Sequence, residues 1–308
     1  MNKVCVIAGQ SGYEIVKEFQ KKDIDVFLIC GKENESGWDI ADKLLVIDLK
    51  NKDEILKKIK EYSNYLFLGT GHNLAIDIAK LSHSKGCIIN FNVDIANLFK
   101  NKLRTHKYIN ELGYCTPLLH VIENENDMFT PKVFPVVLKS EEDSYKTEMV
   151  NGIDDFNIVK MNILKSGSNV IIEKFIDGFE VTISVKATIS NVIACKSALD
   201  MKGINEKAVS ILKGFDLKRE ENKSYSYNLK EDIKRKICHI VEDIISKSGF
   251  TGYPRFDIMI DHNDTIYILE INSIMVTALG GAHYPWEEVQ INPAKDMVEL
   301  FLAQIKES

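Results

Sequence analysis

The stretch GYPRFDIMIDHNDTIYILEIN, residues 252–272, has the pattern of a β-hairpin, and it decides the fold of the region around it. Each half alternates apolar and polar residues, which is typical of a strand with one buried face. The two halves meet at Asn263 and Asp264, residue types that favour tight turns. The pattern therefore predicts two antiparallel strands joined by a two-residue turn.

With that pair as the turn centre, each polar residue of the hairpin has a defined partner. Asp257 faces Glu270 and Arg255 faces Asn272, and the alternation of side chains places all four on one face. The apolar residues expected on the opposite face, toward the core, are Phe256, Ile258, Leu269 and Ile271. One face of the hairpin is thus predicted to be polar and the other to pack.

The opposed acids of this hairpin require an explanation. Two carboxylates directly across a strand pair repel each other, so a positive partner is expected between Asp257 and Glu270. Oxygen ligands beside an amide, here Asn272, suit a hard cation such as Mg2+, which keeps waters and shares phosphate oxygens. The alternative is that the acids are solvated on the open face of an edge hairpin, which is common in antiparallel sheets.

Composition limits the class of protein. A chain of 308 residues exceeds the usual length of one domain, and 45% hydrophobic with 27% charged residues is ordinary for a globular protein. The net charge of −6 argues against a nucleic-acid partner. The sequence has no apolar run of the roughly 20 residues that would cross a membrane. The first apolar run stops at Gly9, so no signal peptide is expected.

The six cysteines are far apart in the sequence, with no CxxC pair and no zinc-ligand spacing. Free thiols in apolar runs such as VCVIAG fit a reducing compartment. The sequence therefore favours a cytoplasmic protein.

The order of apolar runs predicts the domain organisation. Residues 1–95 alternate strands with amphipathic helices, which favours an α/β domain with a parallel sheet. A helix over 94–112 dominates a connecting segment, 96–117, and a small α+β unit follows at 118–185. The rest, 186–308, contains a long helix, the hairpin and a terminal helix. The first turn, AGQSGYE, lacks the GxGxxG spacing, so a dinucleotide-dependent dehydrogenase is a distant alternative.

Two further segments carry candidate binding groups. Lys139 ends the apolar strand FPVVLKS, so its ammonium meets an anion such as phosphate or, alternatively, forms a surface salt bridge. Glu173 and Glu180 flank a bend in VIIEKFIDGFEVTISV. A purine is typically held between apolar walls by a few polar groups, with a carboxylate available for the ribose hydroxyls.

In the order of these motifs the chain resembles the ATP-grasp superfamily. The likeness is greatest to carboxylate–amine ligases of the D-alanine–D-alanine ligase and carbamoyl-phosphate-synthase-like kind. NKLRTHKYINELGYCTP resembles the family's lysine-bearing helix, FPVVLKS its phosphate-lysine strand, IIEKFIDGFE its interlobe hinge, and RFDIMI with YILEIN its metal-binding hairpin. The resemblance implies an ATP-grasp fold, with α/β and α+β parts, behind an N-terminal parallel α/β (pre-ATP-grasp) domain that helps to bind the acceptor.

The resemblance also implies residue roles. The nucleotide-binding residues would be Lys102 and Lys139 at the phosphates, Glu173, Lys174, Phe175 and Ile176 around the adenine, and Glu180 at the ribose. The ligands of Mg2+, or of Mn2+ in its place, would be Asp257, Glu270 and Asn272. Arg255 would face the reacting phosphate and stabilise the transition state; the alternative is that it merely pairs with Asp257.

Two segments depart from the family pattern. The loop SEEDSYKTEMVNG, residues 140–152, has no glycine before Gly152, so phosphate contacts there would come from the side chains of Ser144, Lys146 and Thr147. The segment NSIMVTALGGAHYPW has neither the Pro-Gly turn nor the arginine of the two nearest groups, which predicts a different substrate. The side chains of His283, Tyr284 and Trp286 either line the acceptor pocket or pack against the last helix.

The leading functional hypothesis is an ATP-dependent ligase that activates a small-molecule carboxylate as an acylphosphate and joins it to an amine. One alternative is a small-molecule kinase, which would release a stable phosphorylated product. Another is a non-catalytic nucleotide-binding protein, which the glycine-poor loop favours. A homodimer is expected from the resemblance alone.

Overall fold

The computed structural model describes residues 1–141, 147–188, 190–196, 229–274 and 291–307. The strands are β1 (Lys3–Ile7), β2 (Asp25–Cys30), β3 (Lys43–Val46), β4 (Tyr65–Leu68), β5 (Ile88–Ile89), β6 (Leu118–Ile122), β7 (Val136–Ser140), β8 (Thr147–Val150), β9 (Val170–Lys174), β10 (Gly178–Ala187), β11 (Val192–Ala194), β12 (Arg255–Asp261) and β13 (Ile266–Asn272). The helices are α1 (Gly12–Gln20), α2 (Lys52–Tyr62), α3 (Asn73–Ser84), α4 (Val93–Lys100), α5 (Lys102–Glu111), α6 (Ile153–Lys165), α7 (Glu231–Ser248) and α8 (Pro293–Glu307), with a 3-10 helix at Gly9–Ser11. Of these described helices, none is long and apolar enough to cross a membrane.

The N-terminal region forms a five-stranded parallel sheet in the order β3-β2-β1-β4-β5. Its central strands, KVCVI and DVFLIC, are almost continuous apolar runs with four or five buried residues each. Such runs are typical of parallel strands covered by helices on both faces. The expected parallel α/β fold of this region is confirmed.

The helix expected over 94–112 is two helices, α4 and α5. The backbone is extended at Asn101, with φ −94° and ψ 113°, and the Asn101 side chain accepts a hydrogen bond from the Arg104 amide. Asparagine is a favoured N-cap because its side-chain oxygen satisfies a free amide of the first turn. The break makes Lys102 the first residue of α5.

The second sheet is antiparallel, in the order β6-β9-β7-β8, and α6 packs on one face of it. The apolar core between them is separate from that of the rest of the chain and includes Val136, Leu138, Phe156, Val159 and Ile172. This small unit therefore forms a lobe with its own core.

The third sheet is antiparallel, in the order β11-β10-β12-β13. Strand β10 pairs with β12 from Gly178 opposite Asp261 to Ser184 opposite Arg255. The boundary expected between 185 and 186 falls inside β10, which lies wholly in this sheet. The chain crosses from the second sheet to the third at residues 175–177, between β9 and β10.

The hairpin of β12 and β13 confirms the expected pairing of its polar residues, but its turn was predicted wrongly. The loop has three residues, 262–264, and Asp264 has a positive φ of 62°, as in three-residue hairpin loops that end in a left-handed residue. Pairs near the turn are therefore shifted by one residue. A bulge at Leu269 removes the shift, so that Asp257 still faces Glu270 and Arg255 still faces Asn272.

The bulge also corrects the expected position of Leu269. This residue lines a cavity on the polar face of the hairpin instead of entering the core. Ile268, which is fully buried, takes the core position. An extra residue in one strand turns the side chain next to it to the other face, because alternation is interrupted there.

Candidate nucleotide and metal site

A cavity of about 190 Å3 lies between the second and third sheets. It is lined by the seven residues to which the family resemblance gave a role in nucleotide binding, namely Lys102, Lys139, Glu173, Lys174, Phe175, Ile176 and Glu180. Asp257 and Glu270 of the hairpin also line it, and Asn272, which is not part of the lining, donates hydrogen bonds to both. The fold thus brings the nucleotide and metal candidates to one place, and their roles toward ligands stay predictions.

The apolar walls of the cavity come from both sheets. Val137 belongs to β7, Met259 to β12 and Leu269 to β13, and sequence reasoning missed all three. Alternation could have identified two of them, since Val137 is two residues before Lys139 and Met259 two residues after Asp257 on the same strand faces. Leu269 faces the cavity only because of the bulge.

Glu173 is held from two sides by side chains of other elements. Its Oε2 accepts a hydrogen bond from the Lys139 Nζ at 2.7 Å, and its Oε1 accepts one from the His106 Nε2 at 3.0 Å. Burial alone would raise the pKa of Glu173, but the charge of Lys139 and the hydrogen bond from His106 outweigh it and lower the pKa to about 2. Both carboxylate oxygens are therefore engaged, and sequence reasoning missed His106.

Asp257 is the centre of the hydrogen-bond network on the hairpin. Its Oδ1 accepts from the Thr182 hydroxyl at 2.9 Å, and its Oδ2 accepts from the Arg255 Nη2 at 2.8 Å. The Asn272 amide nitrogen donates to Asp257 at 3.2 Å and to Glu270 at 2.9 Å. Thr182 was missed by the sequence reasoning, although it lies directly opposite Asp257 in β10.

The surroundings of the cavity disfavour the charged form of two of its acids, Asp257 and Glu180. Burial raises the pKa of Asp257 to about 6, and the Glu270 carboxylate adds to this rise against the opposing charge of Arg255. Burial, with Asp257 and Glu270, likewise raises the pKa of Glu180 to about 7. Burial raises the pKa of Glu270, but the hydrogen bond from Asn272 and the charges of Lys139 and Arg255 help to lower it below its usual value. A site with these properties favours the entry of a further cation.

The candidate metal ligands fit a hard cation by their charge, because Asp257 and Glu270 are carboxylates. The orientation of the Asn272 amide does not yet fit. Among the residues that the structure describes, no three His, Cys, Asp or Glu side chains form a complete metal site. Mg2+ commonly takes only one or two carboxylates and completes its shell with water and phosphate oxygens. Asn272 would have to turn its amide by about 180° to present oxygen in place of nitrogen.

Arg255 pairs with Asp257, as the alternative interpretation expected. Its Nη2 also lies 3.8 Å from the Oε1 of Glu270. Its Nε is nevertheless buried and has no hydrogen-bond partner in the described part of the chain. A buried donor left unpaired is costly, and an anion at this position would satisfy it.

Some predicted contacts lie outside the described residues. These are Ser144 and Lys146 of the glycine-poor loop and the three acceptor candidates His283, Tyr284 and Trp286. Thr147, the last of the loop candidates, begins β8 and lines the cavity.

A larger cavity, of about 640 Å3, lies beside β5 and α8. Its described lining includes Asp94 and His83 but has no lysine or arginine and no paired carboxylates. Size alone therefore favours this cavity as the ligand site, whereas the convergence of charged side chains favours the smaller cavity. We assign the site by its chemistry, because ligand sites are marked by a few convergent polar groups with shifted pKa values.

Comparison with known proteins agrees with this architecture. A D-alanine–D-alanine ligase B of Pseudomonas syringae pv. tomato is 25% identical over 183 residues, which cover 58% of this chain and 55% of that protein. The chain thus spans about half the length of the curated relative that it matches. The D-alanine–D-alanine ligase of Bacillus anthracis, solved in complex with ATP, superposes with a TM-score of 0.73 at 17% identity, over 100% of this chain and 99% of that one.

A second solved structure is similar to the same extent. The biotin carboxylase domain dimer of the Hydrogenobacter thermophilus 2-oxoglutarate carboxylase, solved with MgADP, ADP and bicarbonate, has a TM-score of 0.75 at 16% identity. The alignment covers 98% of this chain and 69% of that one. These likenesses show that the fold is the expected ATP-grasp fold.

The family model described as the D-ala D-ala ligase C-terminus matches residues 120–277, just over half of the chain. The matched segment contains all of the second sheet except the first two residues of β6, and also the crossing at 175–177 and the hairpin of β12 and β13. This chain therefore belongs to the D-alanine–D-alanine ligase C-terminal family.

Proposed function

We propose that this protein is an ATP-dependent ligase that joins a small-molecule carboxylate to an amine, releasing ADP and phosphate. One observation carries the proposal: a single cavity brings together a buried lysine, apolar walls and an opposed pair of carboxylates. This combination suits a nucleoside triphosphate. The apolar walls accept the base, while the lysine and a bound cation offset the charge of the phosphates. Family membership and the ATP complex of the Bacillus anthracis enzyme support it.

The chemistry has two steps. A substrate carboxylate oxygen attacks the γ-phosphorus of ATP, the bond to the bridging oxygen breaks, and ADP leaves. The amine then attacks the acyl carbon, and phosphate leaves as the amine loses a proton. Lys139 and Lys102 would hold the phosphates in place. The Nε–H of Arg255, which has no partner among the described residues, would donate to an anionic oxygen of the reacting group.

Mg2+, or Mn2+, would be held by Asp257 and Glu270 and by Asn272 after rotation of its amide. When bound, the cation offsets negative charge on the phosphate oxygens. The Thr182 hydroxyl and the Arg255 guanidinium each hold one oxygen of Asp257 and thereby fix the orientation of its carboxylate.

Calorimetric titration with ATP, with and without Mg2+, tests the nucleotide site directly. We expect binding in the micromolar range that depends on Mg2+. Phosphate release with candidate carboxylates and hydroxylamine then tests the first step, because hydroxylamine traps an acylphosphate as a hydroxamate. A stable phosphorylated product without a trapped hydroxamate would indicate a kinase. ATP binding with no turnover on any acceptor would indicate a non-catalytic protein.

The pH dependence of stability provides a test that needs no substrate. A carboxyl with a higher pKa in the folded chain than in the unfolded chain favours folding while it is protonated. Its contribution to the free energy of unfolding therefore falls as the pH rises from the unfolded pKa to the folded pKa. For Asp257 this window runs from about 4 to about 6, and the rise corresponds to about 3 kcal/mol at roughly 1.4 kcal/mol per pKa unit. The pKa of Glu180 extends the window to about 7.

We therefore expect the melting temperature in EDTA to fall between pH 5 and pH 7.5, and Mg2+ to raise it more at pH 7.5 than at pH 5. Asp257→Asn should flatten this slope, because the variant has no acid to titrate at that position. An identical slope in wild type and Asp257→Asn would show that other groups cause the pH dependence.

A further inference from the structure

His106 lies behind the nucleotide cavity and is fully buried. It belongs to α5, whereas Glu173 belongs to β9 and Lys139 to β7, so the contacts among the three connect separate elements. His106 donates to one oxygen of Glu173 and Lys139 donates to the other. We call these three side chains the buried row. Glu173 and Lys139 line the cavity, whereas His106 is not part of its lining.

The hydrogen bonds of the buried row define the state of the imidazole. The Nδ1 of His106 is buried and has no partner in the described chain. A doubly protonated ring would bury a charged N–H without a partner, which is costly, whereas a neutral ring with its proton on Nε2 leaves only an unpaired acceptor. His106 thus acts as a neutral donor, and the negative charge of Glu173 is left to Lys139.

Lys139 has competing anionic partners in the cavity. Burial lowers its pKa, but the charge of Glu173 outweighs burial, and Glu270 and Glu180 contribute in the same direction. Those two acids belong to the third sheet, on the opposite side of the cavity from Glu173. If Glu173 were free to turn away, the ammonium of Lys139 would be attracted to the acids that face the proposed cation.

We propose that His106 is a positioning residue for ATP binding: by holding Glu173, it keeps the Lys139 ammonium on the side of the second sheet, where the nucleotide phosphates would lie. A neutral donor suits this role, because a cation at position 106 would compete with Lys139 for the charge of Glu173. The inference rests on the proposed function, since it requires that Lys139 contacts ATP.

Four variants separate positioning from folding. His106→Leu removes the donor, His106→Gln keeps an N–H donor on a neutral side chain, and Glu173→Gln removes the charge through which His106 acts. Thr105→Val is the matched control, because Thr105 is the adjacent residue of α5, is 2% exposed, and its hydroxyl donates to the Leu98 and Phe99 carbonyls and to no acid among the described residues. The measurements are the Kd of ATP with Mg2+ by calorimetry and the melting temperature of each variant.

We expect His106→Leu to raise the Kd by about 10-fold, which corresponds to about 1.4 kcal/mol. His106→Gln should stay within about 3-fold of wild type, and Thr105→Val should lose stability without losing affinity. In the Glu173→Gln background, His106→Leu should have no further effect on the Kd, since interacting residues are non-additive. If His106→Leu does not fold, His106→Asn, whose shorter side chain cannot reach Glu173, replaces it.

An affinity for ATP that is unchanged in folded His106→Leu, or equally reduced in the Glu173→Gln background, would overturn the inference alone. Absence of ATP binding by the wild type would overturn the proposed function and the inference with it. Nitrogen-15 NMR of the imidazole tests the buried row without nucleotide: a proton on Nε2 alone is expected, and a doubly protonated ring at pH 7 contradicts the neutral-donor role.

Discussion

Glu270→Gln is expected to abolish the Mg2+ dependence of ATP binding while leaving the fold intact. The variant removes one of two opposed carboxylates and so the charge that would hold the cation. Without Mg2+ its affinity for ATP should equal or exceed that of wild type, because one acid fewer repels the phosphates. The ratio of the Kd without Mg2+ to the Kd with Mg2+ should therefore fall to near one.

Asp257→Asn should have the same effect as Glu270→Gln, and it should be at least as stable as wild type without Mg2+, because burial and the opposed Glu270 disfavour the charge of Asp257. With an authentic substrate pair, each should slow phosphate release by at least about 100-fold, the size of the loss when one preorganised electrostatic group is removed. Calorimetry, thermal unfolding and phosphate release are the measurements.

Asp264→Asn is the matched control for these two variants. It makes the same change of charge on the same hairpin, but Asp264 lies in the loop and forms an ion pair with the exposed Lys230. Its left-handed backbone also accommodates asparagine. Full Mg2+ dependence in Glu270→Gln would show that the metal assignment is wrong, and loss of it in Asp264→Asn would show that the assay reports total charge instead of a site.

Lys139→Met is expected to weaken ATP binding and to destabilise the fold at the same time. The lysine is only 12% exposed, and its removal leaves the Glu173 charge in the interior with His106 as its remaining partner. Breaking a buried ion pair from one side typically costs about 3–5 kcal/mol, since a buried charge is left uncompensated. Chemical denaturation measures this loss of unfolding free energy.

A second substitution separates the two effects of Lys139. In Lys139→Met with Glu173→Gln, no buried charge remains unpaired, so most of the lost stability should return while ATP affinity stays low. Lys52→Met is the control, because it removes a partly buried lysine from Asp77 in the N-terminal domain. Recovery of ATP affinity in the double variant would show that Lys139 serves the fold and not the nucleotide.

The hairpin illustrates how far sequence pattern reaches. Alternation and turn residues correctly predicted Asp257 opposite Glu270 and Arg255 opposite Asn272. The two-residue turn was wrong, and the pairing survives because the bulge at Leu269 offsets the longer loop. A bulge depends on packing between strands, and single-strand periodicity contains no signal for it.

The N-terminal parallel sheet, helix α6 and the candidate lining of the cavity were likewise accessible from the sequence, because each depends on local periodicity or on the order of motifs along the chain. The assignment of β10 to the small unit failed for a different reason. Periodicity identifies a strand, but which sheet the strand joins depends on partners that are far away in the chain.

The sequence by itself thus determined the polar face of the hairpin and the candidate residues that line the cavity. Only the tertiary structure decided how those residues are held. His106 and Glu173 are 67 positions apart, and nothing in the local pattern around either residue indicates that they meet. Their contact arises because α5 packs behind the second sheet. Water is excluded there, so an unpaired polar group is costly and a hydrogen bond to a charged group is strong.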